Sequence, residues 1–216
     1  MNPEITNTFF CIEGNIGSGK TTLATMLSEE LNTTLLLEQF SDNPFLPEFY
    51  KNRERYAFAV EVFFLAERHK QMKSTLASHS LFSPGVVSDY CFDKTAIFAS
   101  QNLVEKELIL FLRLYNQLEK SIPDPTHIIY LDRPIDALIS NINKRGRDFE
   151  KLITDEYLLS INNAYYQFFN ASPHLKVSII RLADLNFLQD YELYGKIKEI
   201  VLQIPEKSGI YYHDLN

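Results

Sequence analysis

The sequence predicts an α/β protein, a parallel sheet with helices packed on both of its faces. Two observations carry the prediction. Short apolar runs alternate with helical periodicities along the whole chain. The first of these runs enters a glycine-rich turn that leaves straight into a helical pattern, FFCIEGNIGSGKTTLATML at residues 9–27. Strands that alternate with helices pair in parallel, because each crossover helix returns the chain to the same edge, and the sheet is then buried on both sides.

The elements follow in order. Residues 9–13 form a continuous apolar run, the mark of a strand buried on both faces, and residues 21–31 read as a helix. TLLLE at 34–38 is a second short strand. From 54 to about 77 apolar residues recur at helical spacing, with Phe58, Val62, Leu65 and Met72 on one face. The turn signal Ser83-Pro84-Gly85 introduces a brief third strand at 86–88. A Leu- and Ile-rich helix spans about 104–120 and is closed by IPDPT. HIIYLD at 127–132 is the fourth strand, followed by a helix at 135–144. A further helix covers 155–170, VSII at 177–180 is the fifth strand, and 191–203 is the last helix. No repeat, low-complexity tract or Pro/Gly-rich linker divides the chain, so residues 1–216 are expected to form a single domain with a five-stranded parallel sheet.

Composition narrows the class of function. At 216 residues and 45% hydrophobic content the chain has ample material for a core, and no apolar run approaches the roughly 18 residues of a membrane span. The formal net charge of −7 argues against nucleic acid, which is met by basic surfaces. The opening MNPEITNTFF has no basic segment before an apolar one, so no secretory signal is expected and the protein is placed in the cytoplasm. Cys11 and Cys91 lack metal-ligand spacing and read as reduced thiols. His69, His79 and His127 also lack partners at metal spacing and read as structural or surface residues.

The glycine-rich turn carries the chemistry. Gly14-Asn15-Ile16-Gly17-Ser18-Gly19-Lys20-Thr21 fits G-x-x-x-x-G-K-[ST] in full, with Thr22 beside it. Its glycines let backbone N–H groups turn inward onto phosphate oxygens, and the helix that follows points its positive end at the same place. Lys20 reaches the β- and γ-phosphates and the Thr21 hydroxyl ligates Mg²⁺. The loop is therefore expected to bind ATP with Mg²⁺. A GTPase would carry Asn-Lys-x-Asp, and the nearest string, Asn143-Lys144-Arg145-Gly146, lacks the aspartate. Instead the arginine-rich KRGRDFE follows the fourth strand and its helix, where a small-molecule kinase has a lid, at about 144–152, that meets charge on the transferred phosphoryl group. The prediction sharpens to a P-loop kinase fold.

At this point the chain resembles a known family. IEGNIGSGKTT, NPFLPEFY, FFLAERHKQ, IFAS and KRGRDFEK occur in the order and spacing of the deoxynucleoside kinases. The likeness runs from about residue 8 to 160, more loosely to the end, and is greatest to the bacterial deoxyguanosine/deoxyadenosine kinase branch. The resemblance implies transfer of the ATP γ-phosphate to the 5′-hydroxyl of a deoxynucleoside. It implies that Glu38 takes or orients the 5′-hydroxyl proton, that Asp89 joins Thr21 in holding Mg²⁺, and that Arg145 and Arg147 serve phosphoryl transfer. Tyr50 and Glu150 match the pair that grips the sugar 3′-hydroxyl. The base pocket is expected to hold Glu61, Arg68 and Phe98. By pattern alone Asp132, at the end of an apolar strand, competes with Asp89 for the metal.

Two positions depart from the family. Arginine usually follows the acid at 89, where this chain has Tyr90, a residue the bacterial branch tolerates; Lys94 is a candidate replacement cation but reads first as a solvated helix lysine. A second family arginine is Asn141 here, one candidate fewer for contact with the ATP adenine or phosphate. Glutamine is common at position 61, and an ionised Glu61, kept charged by Arg68 two helical turns away, offers only acceptors and so suits the N1–H and N2–H₂ of guanine. A purine substrate is expected, deoxyguanosine before deoxyadenosine. A thymidylate kinase-like reading rests on Lys51, Arg53 and Arg55, and a P-loop NTPase without acceptor is the third possibility. The apolar surface of the helices at 54–77 and 104–120, with the family's habit, leads to the expectation of a homodimer.

Overall fold

The computed structural model describes residues 7–39, 43–77, 85–183 and 186–215. His79, Ser83 and Pro84 lie outside the described residues. Six strands form one parallel sheet in the order β2-β3-β1-β4-β5-β6. They are β1 (Phe9–Gly14), β2 (Thr34–Leu36), β3 (Val86–Ser88), β4 (His127–Asp132), β5 (Lys176–Arg181) and β6 (Gly209–Asp214). The helices are α1 (Lys20–Leu31), α2 (Leu46–Lys51), α3 (Arg53–Ala77), α4 (Lys94–Asn102), α5 (Glu105–Glu119), α6 (Ile135–Arg145), α7 (Asp155–Ala171) and α8 (Tyr191–Leu202), with a 3₁₀ turn at Asp148–Leu152.

The continuous apolar run of β1 is explained by its position between β3 and β4. Successive side chains of a strand point to opposite faces. Phe9 and Cys11 enter a core shared with α3, α4 and α7, while Phe10 and Ile12 enter a second core against α1 and α8. Both faces are dry, so no polar alternation survives in the sequence. The same division runs through β4, with Ile128 and Tyr130 on one side and Ile129 and Leu131 on the other.

The sheet has six strands, not five. β6 runs parallel to β5 in the register Val177↔Ile210 to Arg181↔Asp214. As an edge strand it is only half-buried, and GIYYHD shows none of the apolar continuity that marks the inner strands. α4, the polar-rich KTAIFASQN, was anticipated only through the reading of Lys94 as a helix residue, and α2 not at all: α2 is six residues long with Pro47 in its first turn. Pro is tolerated there because the first-turn N–H has no partner to lose. Of the histidines, His127 is fully buried between Val201 O and Ser178 Oγ, as a structural residue would be.

The chain order reverses around β1: its neighbours are β3 and β4, and β2 lies beyond β3. A crevice opens at the carboxyl ends of the strands at such a switch point. The glycine-rich loop leaves β1 into this crevice.

Candidate active site

The loop is held by its own glycines. Gly17 (φ +84°) packs so tightly on α6 that a Cβ would come 2.7 Å from the Leu138 carbonyl oxygen, and Gly19 (φ +95°) caps α1 in the left-handed region. Neither position accepts a side chain without strain. Asn15 is buried and donates to Leu158 O at 2.7 Å, which fixes the loop against α7, and the Ile16 N–H is taken by Asn15 Oδ1. Lys20 Nζ donates to Asn15 O at 3.1 Å. Burial, followed by the nearby charge of Lys94, lowers the Lys20 ammonium to a pKa of about 8.

Asp89, just past β3, joins the loop to the next strand. Thr21 Oγ1 donates to Asp89 Oδ2 at 2.5 Å and the Glu38 N–H donates to Asp89 Oδ1 at 2.8 Å. Asp132 accepts from the Tyr166 hydroxyl and stands 4.0 Å from Arg181, away from the cavity, so the competing position is engaged elsewhere.

Glu38 sits two residues beyond β2, its carboxylate between two cations. Arg68 donates to Oε1 through Nε at 2.8 Å and Nη2 at 2.5 Å, and Lys94 Nζ donates to Oε2 at 2.6 Å. Burial would raise its pKa, but the opposing charges of Arg68 and Lys94 overcome that and hold it well below the usual carboxylate range. Lys94 is therefore not the solvated helix lysine expected from the sequence. It is buried at the start of α4, where its ammonium lies 5.6 Å from the Phe98 ring centroid. Tyr90, in the position of the family arginine, is fully buried and donates its hydroxyl to Gln71 Oε1 at 2.9 Å. Replacing an arginine by a tyrosine thus leaves no gap, and Lys94 supplies the second positive charge from one turn further along.

The expectation that Arg68 keeps Glu61 ionised is corrected. The Arg68 guanidinium hydrogen-bonds Glu38 and, at 3.0 Å, Thr95 Oγ1, while Glu61 Oε1 accepts from Asn102 Nδ2 at 2.6 Å. Desolvation dominates at Glu61 and raises its pKa to about 7, against the opposing pull of Asn102 and Arg68. The carboxyl is not fixed as an anion. Its Oε2 is buried without a hydrogen-bond partner among the described residues.

The arginine-rich segment expected as a lid begins where α6 ends. Gly146 takes the left-handed conformation (φ +72°) that closes a helix, and the chain turns into the 3₁₀ segment. Glu150 is buried there and accepts from Arg145 Nε at 3.0 Å and Arg147 Nη1 at 3.1 Å. Phe149 stacks on Tyr50, ring centroids 5.8 Å apart. The arginines are thus tied to the acid within their own lid. Asn141 donates to Gly17 O at 2.9 Å, touching the loop directly.

These groups share one cavity of about 410 Å³, lined by Lys20 and Thr21 at one end, Glu38 and Asp89 in the middle, and Tyr50, Glu61, Phe98 and the lid residues beyond. Ile16, Gly17, Gly19, Thr22 and Arg68 also line it. A second cavity of about 330 Å³ lies across the loop, walled by Arg133, Asn141, Phe187 and Leu188. Lys51, Arg53 and Arg55 line neither: Lys51 pairs with Glu48 at the surface, and Arg53 and Arg55 lie over aromatic rings. The basic residues a thymidylate kinase-like site would need are thus absent from the lining of both cavities.

Four contributors were not read from the sequence. Asn102 on α4 meets Glu61 and Tyr157 on α7 meets Asn102, and nothing in their neighbourhood announces a site. Glu13, buried in β1, accepts from Cys91 N–H and the Tyr165 hydroxyl and so locks the start of the α4 region to the sheet. Arg133 donates to Ser18 O at 3.0 Å from the end of β4, next to Asp132, a signal that was available.

The family model for deoxynucleoside kinases matches residues 10–204. The chain belongs to the deoxynucleoside kinase family. This kinase is 36% identical over 202 residues to a deoxyguanosine kinase of Bacillus subtilis (strain 168), an alignment covering 90% of this chain and 98% of that one. It is 30% identical to a deoxyadenosine kinase of Dictyostelium discoideum, over 88% of this chain and 78% of the relative. In fold it matches the structure of deoxyadenosine kinase from M. mycoides with bound dATP, with a TM-score of 0.75 at 23% identity, covering 88% of this chain and 98% of that one.

Proposed function

We propose that this kinase transfers the γ-phosphoryl group of ATP to the 5′-hydroxyl of a purine deoxynucleoside, for nucleotide salvage in the cytoplasm. The observation that carries the reading is Glu38: a carboxylate clamped by Arg68 and Lys94 in the same cavity as the loop lysine. That is where an acceptor hydroxyl has to be held in line with a terminal phosphate. A carboxylate with so low a pKa is a weak base. Phosphoryl transfer with a loose transition state asks for little deprotonation of the nucleophile before attack. Glu38 therefore acts mainly by accepting the hydroxyl's hydrogen bond and aiming its oxygen, and it receives the proton late.

The residues present fit ATP with Mg²⁺. Ser18 Oγ is buried in the loop without a partner among the described residues, and the Thr21 hydroxyl and Asp89 carboxylate lie side by side at its mouth. Residues 14–22 would cradle the phosphates, with Arg145 closing over them. Thr21 and Asp89 would hold the metal, whose charge neutralises the phosphate oxygens. Lys20, Arg145 and Arg147 meet the charge that grows during transfer. Tyr50 and Glu150 grip the sugar 3′-hydroxyl, Phe98 packs on the base, and Glu61 reads its edge. Arg68, anticipated in the base pocket, positions Glu38.

The relatives' names, deoxyguanosine kinase and deoxyadenosine kinase, support a purine substrate. The same reading takes residues 1–216 as one domain and the protein as a homodimer. The test is ATP consumption with each of the four deoxynucleosides and their monophosphates as acceptors. A purine deoxynucleoside is expected to give the highest kcat/KM. A clear preference for a pyrimidine or for a monophosphate would overturn the proposal.

A further inference from the structure

The end of the cavity away from the loop holds a short relay. Tyr157 on α7 donates its hydroxyl to Asn102 Oδ1 at 3.1 Å, and Asn102 on α4 donates Nδ2 to Glu61 Oε1 at 2.6 Å. The order of donors is fixed. A tyrosine hydroxyl on Oδ1 turns the amide so that its N–H₂ faces the carboxyl, and Oε1 is then confined to accepting. Tyr157 is itself pinned, with the Arg53 guanidinium 3.8 Å from its ring centroid. A proton on Glu61 has one place left, Oε2, which is buried and without a partner among the described residues.

Guanine and adenine differ in sign at one ring atom that such an oxygen can read. N1 of guanine carries a hydrogen, and N1 of adenine carries a lone pair. We propose that Asn102 and Tyr157 are positioning residues that set base specificity: they commit Oε1 of Glu61 to accepting, so that Oε2 alone meets purine N1, accepting from guanine and, when it holds the proton, donating to adenine. The proposal rests on the reading of Glu61 as the base contact.

The groups facing Glu61 allow both states near neutral pH. Arg68 on its own helix and Lys94 on α4 favour the anion, as does the Asn102 amide; Glu38 after β2 opposes it, and burial opposes it most. Tyr157 stays protonated, because burial and the charge of Glu61 raise its pKa far above neutrality. The balance leaves the carboxyl titrating at about 7. Preference between the two purines then becomes a function of pH.

The experiment measures kcat/KM for deoxyguanosine and deoxyadenosine from pH 6 to 8.5 on the full chain. Titrations that affect both reactions alike cancel in the ratio of the two constants. For the native protein the deoxyguanosine-to-deoxyadenosine ratio should climb with pH, approaching about tenfold per unit, since one substrate needs the proton absent and the other needs it present. Glu61→Gln should give a ratio independent of pH. Tyr157→Phe, which removes one oxygen, frees the amide to turn and lets either carboxyl oxygen take the proton, so a protonated carboxyl can still accept from guanine and the slope should flatten below pH 7. Asn102→Ala should do the same, and Tyr157→Phe keeps the test alive if that variant does not fold. A native ratio that is flat or falls with pH overturns the proposal. An unchanged slope in Tyr157→Phe removes the relay while leaving Glu61 as base contact. A native slope that persists in Glu61→Gln removes Glu61 from the base site altogether, so the two failures are distinct.

Discussion

Glu38 accepts from two cations that are even more buried than it is, and each of the three depends on the others. Removing one partner of such a set strands a charge and costs about 3–5 kcal/mol. Glu38→Gln keeps an acceptor oxygen but loses the anion. It should lower kcat by about 10²-fold or more with a much smaller change in nucleoside affinity, read in steady-state kinetics with Tm measured alongside; near-normal kcat would remove Glu38 from the mechanism. Lys94→Met leaves the Arg68 fork in place, so it should cost kcat less than Glu38→Gln does. Lys20 gives a prediction about pH. Its pKa is lowered to about 8, so its charge is present below that pH and fades above it, and affinity for a non-hydrolysable ATP analogue should weaken as pH rises through 8. An affinity flat from pH 7 to 9.5 would contradict it. At this scale the loop was legible because G-x-x-x-x-G-K-T states its own geometry. Lys94 was not, because nothing in FDKTAIF says that the lysine turns inward to a carboxylate 56 residues away.

Elements decide how the lid works. α6 ends at Arg145, Gly146 permits the turn, and the 3₁₀ segment folds Glu150 back under both arginines. On the proposed reading, a bound sugar hydroxyl and a triphosphate would compete for these groups, and the arginines would exchange Glu150 for phosphate as charge develops. Arg145→Ala and Arg147→Ala should therefore each reduce kcat by more than they weaken nucleoside binding, since the contact grows in the transition state. Single-turnover rates against equilibrium nucleoside binding check this, and unaltered turnover in both would make the segment an ordinary charged loop. The arginine-rich segment was legible from its position after a strand and helix. β6 escaped because an edge strand needs only one dry side, and α4 because its buried groups include Lys94 and Thr95, which carry no apolar period.

At the scale of the whole molecule, the doubly covered sheet leaves one face without an evident partner. α5 buries Phe111 and Tyr115 inward, yet Val104, just before it, and Ile109, Leu110 and Leu114 along it remain exposed. Leu110 and Leu114 are one turn apart and share an exposed stripe on α5, a helix that packs against α3. Apolar side chains aligned in this way favour association, because each loses water at about 25 cal/mol per Å² when covered. A second copy of the chain, meeting the same stripe across a two-fold axis, is the occupant that needs no other molecule. The native protein should then sediment at twice 25.1 kDa at micromolar concentration. Leu110→Glu combined with Leu114→Glu should shift it to the monomer, because like charges would face each other across the axis. The substituted positions point away from the cavity, so nucleoside binding to the monomer should persist and serves as the check that the fold is intact. A native protein that sediments as a monomer, or a doubly substituted one that remains a dimer, would place the association surface elsewhere or dispense with it.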